Sequence, residues 1–153
     1  KKAQKIQKRT WYGITATVII ESAFIHSAGL GPLLIPHPSV VNWLLRLTLT
    51  EKNRETLTFI HEFEHLQSVP FYMLYTAGML ALAFSKGHAG LTEIFFVLVS
   101  SEAGWEIISE FLTFYKNKPL YRRAYNKIAM FPRIVFWSSA VAFAIAGWLM
   151  ILF

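Results

Sequence analysis

The run WYGITATVIIESAFIHSAGLGPLLI, Trp11–Ile35, is the stretch on which the fold class turns. It is apolar for most of its length, interrupted by one carboxylate, Glu21, and one imidazole, His26. A helix needs about 20 apolar residues to cross a bilayer, so the run is long enough for a span. Pro32, Pro36 and Pro38 close it, because proline lacks the helix donor and crowds the preceding turn. It lacks the short apolar core and small-residue cleavage site of a signal peptide. The reading is a first transmembrane helix, with Glu21 about a turn deeper than His26 and facing a lysine or tyrosine.

The composition agrees with a membrane setting. The 153 residues are 54% hydrophobic and 16% charged, against about 25% charged in a soluble domain. The net charge of +6 is bunched in Lys1–Arg9 and Lys116–Arg133. Both flank apolar runs, so they point to lipid headgroups and topology, not to nucleic acid. The chain has no cysteine, which excludes disulfides, thiolate metal sites and thiol catalysis.

Working outward, Lys1–Arg9 reads as a basic juxtamembrane segment. SVVNWLLRLTL, Ser39–Leu49, is short and amphipathic, with Trp43 and Arg46, and reads as an interfacial helix. A second long segment covers Thr56–Phe84, with Pro70 as a kink. Ser85–Gly90 is a tight connection to a third segment, Leu91–Tyr115. A basic loop, Lys116–Arg133, leads to an unbroken apolar run, Ile134–Phe153. The expected fold is therefore all-α: an integral membrane, multi-pass helical bundle of about four transmembrane helices plus a short interfacial helix, with residues 1–153 as a single transmembrane domain. Three crossings would place the two basic segments on opposite sides, whereas the positive-inside rule wants them on one side.

The second segment opens with TFIHEFEHLQSVPF, Thr58–Phe71, which contains H-E-x-x-H. On a helix, residues i and i+4 share a face about 6 Å apart along the axis, so His61 and His65 can offer two imidazoles to one metal. Glu62 is then placed as general base on a metal-bound water, whose pKa zinc lowers to about 7. Such a charged cluster in a membrane-facing helix requires partners. The competing reading is a set of interfacial polar groups at a helix start.

The third segment supplies Glu102, Glu106 and Glu110, spaced by four and hence on one stripe. If segments two and three form a hairpin turning near His88, Glu106 and Glu110 lie nearer the histidines than Glu102. Glu106 is the first choice as third ligand. Glu110 and Glu102 are further candidates, as ligand or as groups that orient a ligand histidine. The alternative partners for these glutamates are Arg122 and Arg123. His26 lies at a similar depth and is a further ligand or substrate-binding candidate; a lone histidine in a span is more often a hydrogen-bonded core residue. His37 and His88 fall in loops and rank low.

H-E-x-x-H followed by a glutamate on a later helix resembles the gluzincin zinc metallopeptidases, including their membrane-embedded members. The resemblance implies His61, His65 and one of Glu106, Glu102 or Glu110 as ligands of Zn2+, and Glu62 as base. Family members often carry E-x-x-x-D on the third-ligand helix; here Glu102-x-x-x-Glu106 and Glu106-x-x-x-Glu110 have glutamate in place of the aspartate. A second likeness is to small metalloprotease-like proteins with H-E-x-x-H-x-x-Q and N-P-F-E-x-x-A-Y. Gln67 sits one residue early for that pattern. Lys116–Tyr125 matches the second piece with Tyr121 where the glutamate stands.

Three functions follow as expectations. One is a membrane-embedded zinc metallopeptidase (a hydrolase) cleaving peptide or membrane-protein substrates near the bilayer surface. Another is a noncatalytic, degenerate protease-like accessory subunit of a membrane complex, in contact with lipid and partner subunits. The third is a di-iron or copper oxidase; Glu62-x-x-His65 fits half of a di-iron pattern, and no second E-x-x-H is present. No nucleic-acid partner is expected.

Overall fold

A computed structural model of the chain describes residues 3–88 and 90–153; Lys1, Lys2 and Ala89, in the basic N-terminal segment and the Ser85–Gly90 connection, lie outside the described residues. The fold is mixed, not all-α. Four strands come first: β1 (Gln4–Arg9), β2 (Thr15–Ile20), β3 (Ile25–Leu30) and β4 (Ile35–Pro38). They pair in chain order as an antiparallel meander. A single π-helical turn, Asn42–Arg46, leads to the helices α1 (Glu51–Ser85), α2 (Leu91–Lys116), α3 (Lys118–Tyr125) and α4 (Met130–Leu152).

The run Trp11–Ile35 is thus strands β2 and β3, the turns on either side of them and the first residue of β4, and not a membrane helix. The reasons are local. TATVII is rich in β-branched residues, which favour the pleated backbone. At the β2–β3 turn the Ser22 hydroxyl accepts the backbone N–H groups of Phe24 and Ile25, a side-chain turn that competes with helix. At the β3–β4 turn Gly31 has φ +58°, a conformation L side chains rarely adopt. A Cβ at Gly29 would run into the Leu33 carbonyl, so only glycine lets that turn fold back.

Of the basic segment Lys1–Arg9, the residues Gln4–Arg9 form an edge strand and not a juxtamembrane tail. Its Lys5, Lys8 and Arg9 blunt that edge, and Pro36 and Pro38 blunt the other. Alternate residues Ala16, Val18 and Ile20, with Ala28 from β3, form the buried face of the sheet against Phe63 and Leu66 of α1. The register sets Ile20 opposite His26, and His26 opposite His37. Both histidines therefore lie on the helix-facing side.

Ser39–Leu49 is not an interfacial helix. Trp43 is exposed, but Arg46 is 1% exposed and points inward. Val41, Leu45 and Leu49 join Leu57, Tyr121, Ala124 and Phe136 in a second core. The basic loop contains α3.

Among the described residues two helices, α1 and α4, are long and apolar enough to cross a membrane. This replaces the expected four spans. α2 carries Glu93, Glu102, Glu106 and Glu110 along its length. α2 and α4 pack closely where Gly147 meets Ser100 and the Phe96 carbonyl, and the Ser100 hydroxyl donates to the Ala144 carbonyl.

α1 passes through Pro70 without ending. Proline has no N–H, so the carbonyl four residues earlier, Leu66, loses its helical partner. The Tyr12 hydroxyl, from the β1–β2 turn, donates to it. Next to it, Trp11 Nε1 donates to the Gln67 carbonyl at 2.8 Å, and the Trp11 N–H to Gln67 Oε1 at 3.0 Å. Pro70 thereby frees one of the three acceptors by which the sheet is fastened to the helix.

Two measurements check this packing. Gly147→Leu overfills the α2–α4 contact and costs about 1–3 kcal/mol, seen as a lower melting temperature in detergent; Gly78→Ala, where nothing lies within 4 Å of the added carbon, causes no such loss. Tyr12→Phe strands the Leu66 carbonyl and costs about 1–3 kcal/mol in the same melt, whereas Tyr12→Phe in a Pro70→Ala background costs less, because the helix supplies the missing donor.

Candidate metal centre

His61, Glu62, Phe63, Glu64, His65 and Leu66 are six consecutive buried residues of α1. A helix sends such a run in every direction, so its polar members meet different neighbours. His61 and His65 turn toward α2. Their Nε2 atoms are 3.0 Å apart. Glu106 reaches both, with Oε2 3.1 Å from His61 Nε2 and Oε1 3.4 Å from His65 Nε2. Glu62 turns the other way, toward the sheet. Its Oε1 is 2.9 Å from His26 Nε2 and its Oε2 3.4 Å from His37 Nε2. Glu64 is held by Lys116, whose Nζ donates to both carboxylate oxygens at 2.7 Å.

The donor set of His61, His65 and Glu106 fits a zinc-class ion. A tetrahedral site with arms of about 2.0–2.1 Å has edges of about 3.3–3.4 Å. The two Nε2 atoms are 3.0 Å apart and each faces a different oxygen of Glu106, so all three side chains are within reach of one ion, and two imidazoles with one carboxylate is zinc-type chemistry. The hairpin register about His88 ranks Glu106 and Glu110 as the nearest glutamates. The structure puts both within reach of His61, roughly one and a half turns (Glu110) and two and a half turns (Glu106) from the level a straight hairpin gives.

Glu110 sits behind His61, its Oε2 2.8 Å from His61 Nδ1 and off the ideal hydrogen-bond axis. A carboxylate at the second ring nitrogen fixes the tautomer and leaves Nε2 free for a metal. Glu110 is itself 1% exposed and is anchored by Arg46 and by the Tyr121 hydroxyl, which donates to Oε1 at 2.6 Å. Burial, and then the charge of Glu110, push the Tyr121 phenol well above its usual pKa, so it stays a donor. Arg46 in turn donates to Asn42, which accepts from the Thr58 hydroxyl at 2.5 Å. Arg122 and Arg123 are exposed and take no part. Tyr121, aligned with a ligand glutamate in the second likeness, touches the carboxylate that backs a ligand.

Trp105 closes the other side. Its ring meets His65 edge to face at 4.6 Å and stacks on Tyr72 at 4.1 Å, while Nε1 donates to Ser68 Oγ at 2.7 Å. The roles of Arg46, Tyr121, Trp105 and His37 escape sequence reasoning. Arg46, the lone charge in an apolar run, was the one visible signal among them. Glu102 lines the same cavity as His65 and Glu106 but makes no contact with either ligand histidine among the described residues. His26 meets Glu62, not the His61–His65 pair. Glu21 accepts from Ser27 at 2.9 Å, where a lysine or tyrosine is expected.

Glu62, His65, Glu106, Glu102 and His37 all open into one cavity of about 430 Å³ between β3, β4, α1 and α2. Its remaining wall is apolar: Ala28, Leu30, Leu33, Ile35, Leu66 and Val69 among others. A larger cavity, about 690 Å³, lies beside Trp11, Phe71 and Tyr75 and contains none of His61, His65, Glu106 or Glu62. Volume is thus no guide to the chemistry here, since the convergent polar groups are in the smaller cavity. The Glu62 carboxylate beside His37 raises that imidazole above its usual pKa, against the opposing effect of burial. The same negative charge favours any cation in this place. Compared with known protein families, curated proteins and solved structures, the chain matches none.

Removing the support of the ligands has a defined cost. For a zinc-class ion held by His61, His65 and Glu106, Glu110→Gln would weaken binding about 10- to 100-fold, read by competition with a chromogenic chelator. Arg46→Met leaves the Glu110 charge buried without its cation and destabilises the fold by about 3–5 kcal/mol; the double variant Arg46→Met/Glu110→Gln recovers part of that loss in a thermal melt.

Proposed function

We propose that the chain is a membrane-embedded, multi-pass zinc metallopeptidase of the gluzincin type, hydrolysing peptide bonds near the bilayer surface. The observation that carries this reading is the joint placement of His61, His65 and Glu106 within reach of one ion, with Glu62 opening into the cavity that His65 and Glu106 line. A zinc ion held there lowers the pKa of its water to about 7 and polarises a carbonyl. The rest is supplied by the chain. Glu62, on the helical residue next to a ligand, takes the proton of the attacking water and returns it to the leaving amine. Glu110 and Arg46 keep His61 in the metal-binding tautomer, and Trp105 keeps His65 in its orientation. The apolar wall accepts a substrate segment with aliphatic side chains and excludes bulk water.

The membrane setting is supported by what lies outside. Beyond Pro70 the surface of α1 carries exposed Phe71, Met73, Leu74 and Phe84, and α4 carries exposed Ile134, Val141, Phe143 and Ile145. Soluble monomers rarely show apolar surface on that scale. His65 precedes Pro70 by little more than one turn, so the cluster lies where polar head and apolar stem meet. Leu33, Leu34 and Ile35 at the β3–β4 turn are exposed on the sheet and suit contact with lipid.

Zinc analysis of the detergent-purified chain and a peptidase assay on apolar peptides test the reading together. The expected result is one tight zinc that is lost in His61→Ala/His65→Ala, and a Glu62→Gln variant that keeps the zinc while turnover falls by about 10³-fold or more. Unchanged turnover in Glu62→Gln, or no zinc in the wild type, overturns it.

A further inference from the structure

Glu62 does not stand alone on the sheet side of α1. His26 and His37 come from directly paired positions of β3 and β4, their rings 4.0 Å apart at an interplanar angle of 69°. Each presents Nε2 to a different oxygen of the same carboxylate. The three donor atoms all lie within 4.8 Å of one another, as those of His61, His65 and Glu106 do. The two imidazoles sit 2.9 and 3.4 Å from the two oxygens of Glu62, close enough for one ion to be shared by all three side chains.

The buried member points the same way. His26 is 2% exposed, and neither of its ring nitrogens has a well-aligned hydrogen-bond partner among the described residues. Nε2 is close to the carboxylate but off its axis. Two lone pairs that aim at a common point beside both atoms, and not at each other, have this geometry. An imidazole buried in this way is costly unless something completes it. His37, with its side chain 40% exposed, leaves the fourth position open to the cavity.

We infer that His26, His37 and Glu62 form a second binding site for a zinc-class divalent cation, separate from His61, His65 and Glu106. Its donors are two neutral imidazoles and one carboxylate from three elements that the fold already holds together. Two dications on one cavity repel each other, so this site is the weaker of the two. Its occupation engages the lone pairs that Glu62 needs as a base. On the peptidase reading, with which this consequence stands or falls, excess zinc therefore inhibits; the site itself does not depend on that reading.

The test is equilibrium dialysis of the full chain, in detergent and stripped of metal, against rising free zinc, with elemental analysis. The wild type is expected to take up a tight equivalent and then a weaker second one. His37→Gln, at a half-exposed position, and His26→Ala are expected to lose the second equivalent and keep the first, which also reports that they are folded. His61→Ala/His65→Ala is expected to show the reverse. A wild type that saturates at a single equivalent which His37→Gln and His26→Ala both retain, or a second equivalent that survives in both of those variants, overturns the inference. A single equivalent lost with His37→Gln but retained in His61→Ala/His65→Ala upholds this site and sinks the peptidase centre instead.

Discussion

The constraint on which this structure rests is the burial of His61–Leu66 on every side of one helix. A surface helix hides one stripe and wets the other. Here both faces of a polar run are hidden, so each face needs a partner made for it. α2 provides carboxylates and a lysine for His61, His65 and Glu64. The sheet provides imidazoles for Glu62 and an apolar surface for Phe63 and Leu66. Without the sheet, Glu62 would face lipid or water, and the motif would be an exposed charged patch at a helix start.

The compensation of charge runs deeper than the histidines. Glu110 is almost fully buried, and a lone carboxylate there is expensive. Arg46 offsets it from the π-helical turn, Tyr121 from α3, and His61 from α1. A single side chain thus ties four parts of the chain to one point. This explains why the short connection Ser39–Leu49 folds inward: its arginine has a charge to meet. It also explains why Tyr121 is buried in a segment that is otherwise rich in exposed basic residues.

Pro70 marks the boundary between two environments along α1. Before it the helix is wrapped in polar partners; after it the exterior is apolar. The proline also frees the Leu66 carbonyl, which Tyr12 takes, and Trp11 binds the neighbouring Gln67. A local defect in one element therefore becomes the anchor of another. The second histidine pair, on β3 and β4, is set over α1 by this anchoring.

Much of the site was legible in the sequence. The i, i+4 spacing puts His61 and His65 on one face, and the four-residue stripe brings Glu106 and Glu110 to one side of the next helix, because helical geometry is local and the hairpin between them is short. The segments that became α1, α2 and α4 were legible for the same reason. What the sequence alone could not settle was the environment of Trp11–Ile35. Hydropathy records how apolar a run is, not whether its backbone finds its hydrogen bonds within one helix or across strands. That choice depends on the partner, and the partner is α1, whose buried carboxylate and aromatic side chains are satisfied only by a sheet carrying His26 and His37 in register. The pairing of Arg46 with Glu110 was likewise decided by tertiary structure, since a buried charge selects its counter-ion by where the fold places it and not by sequence distance.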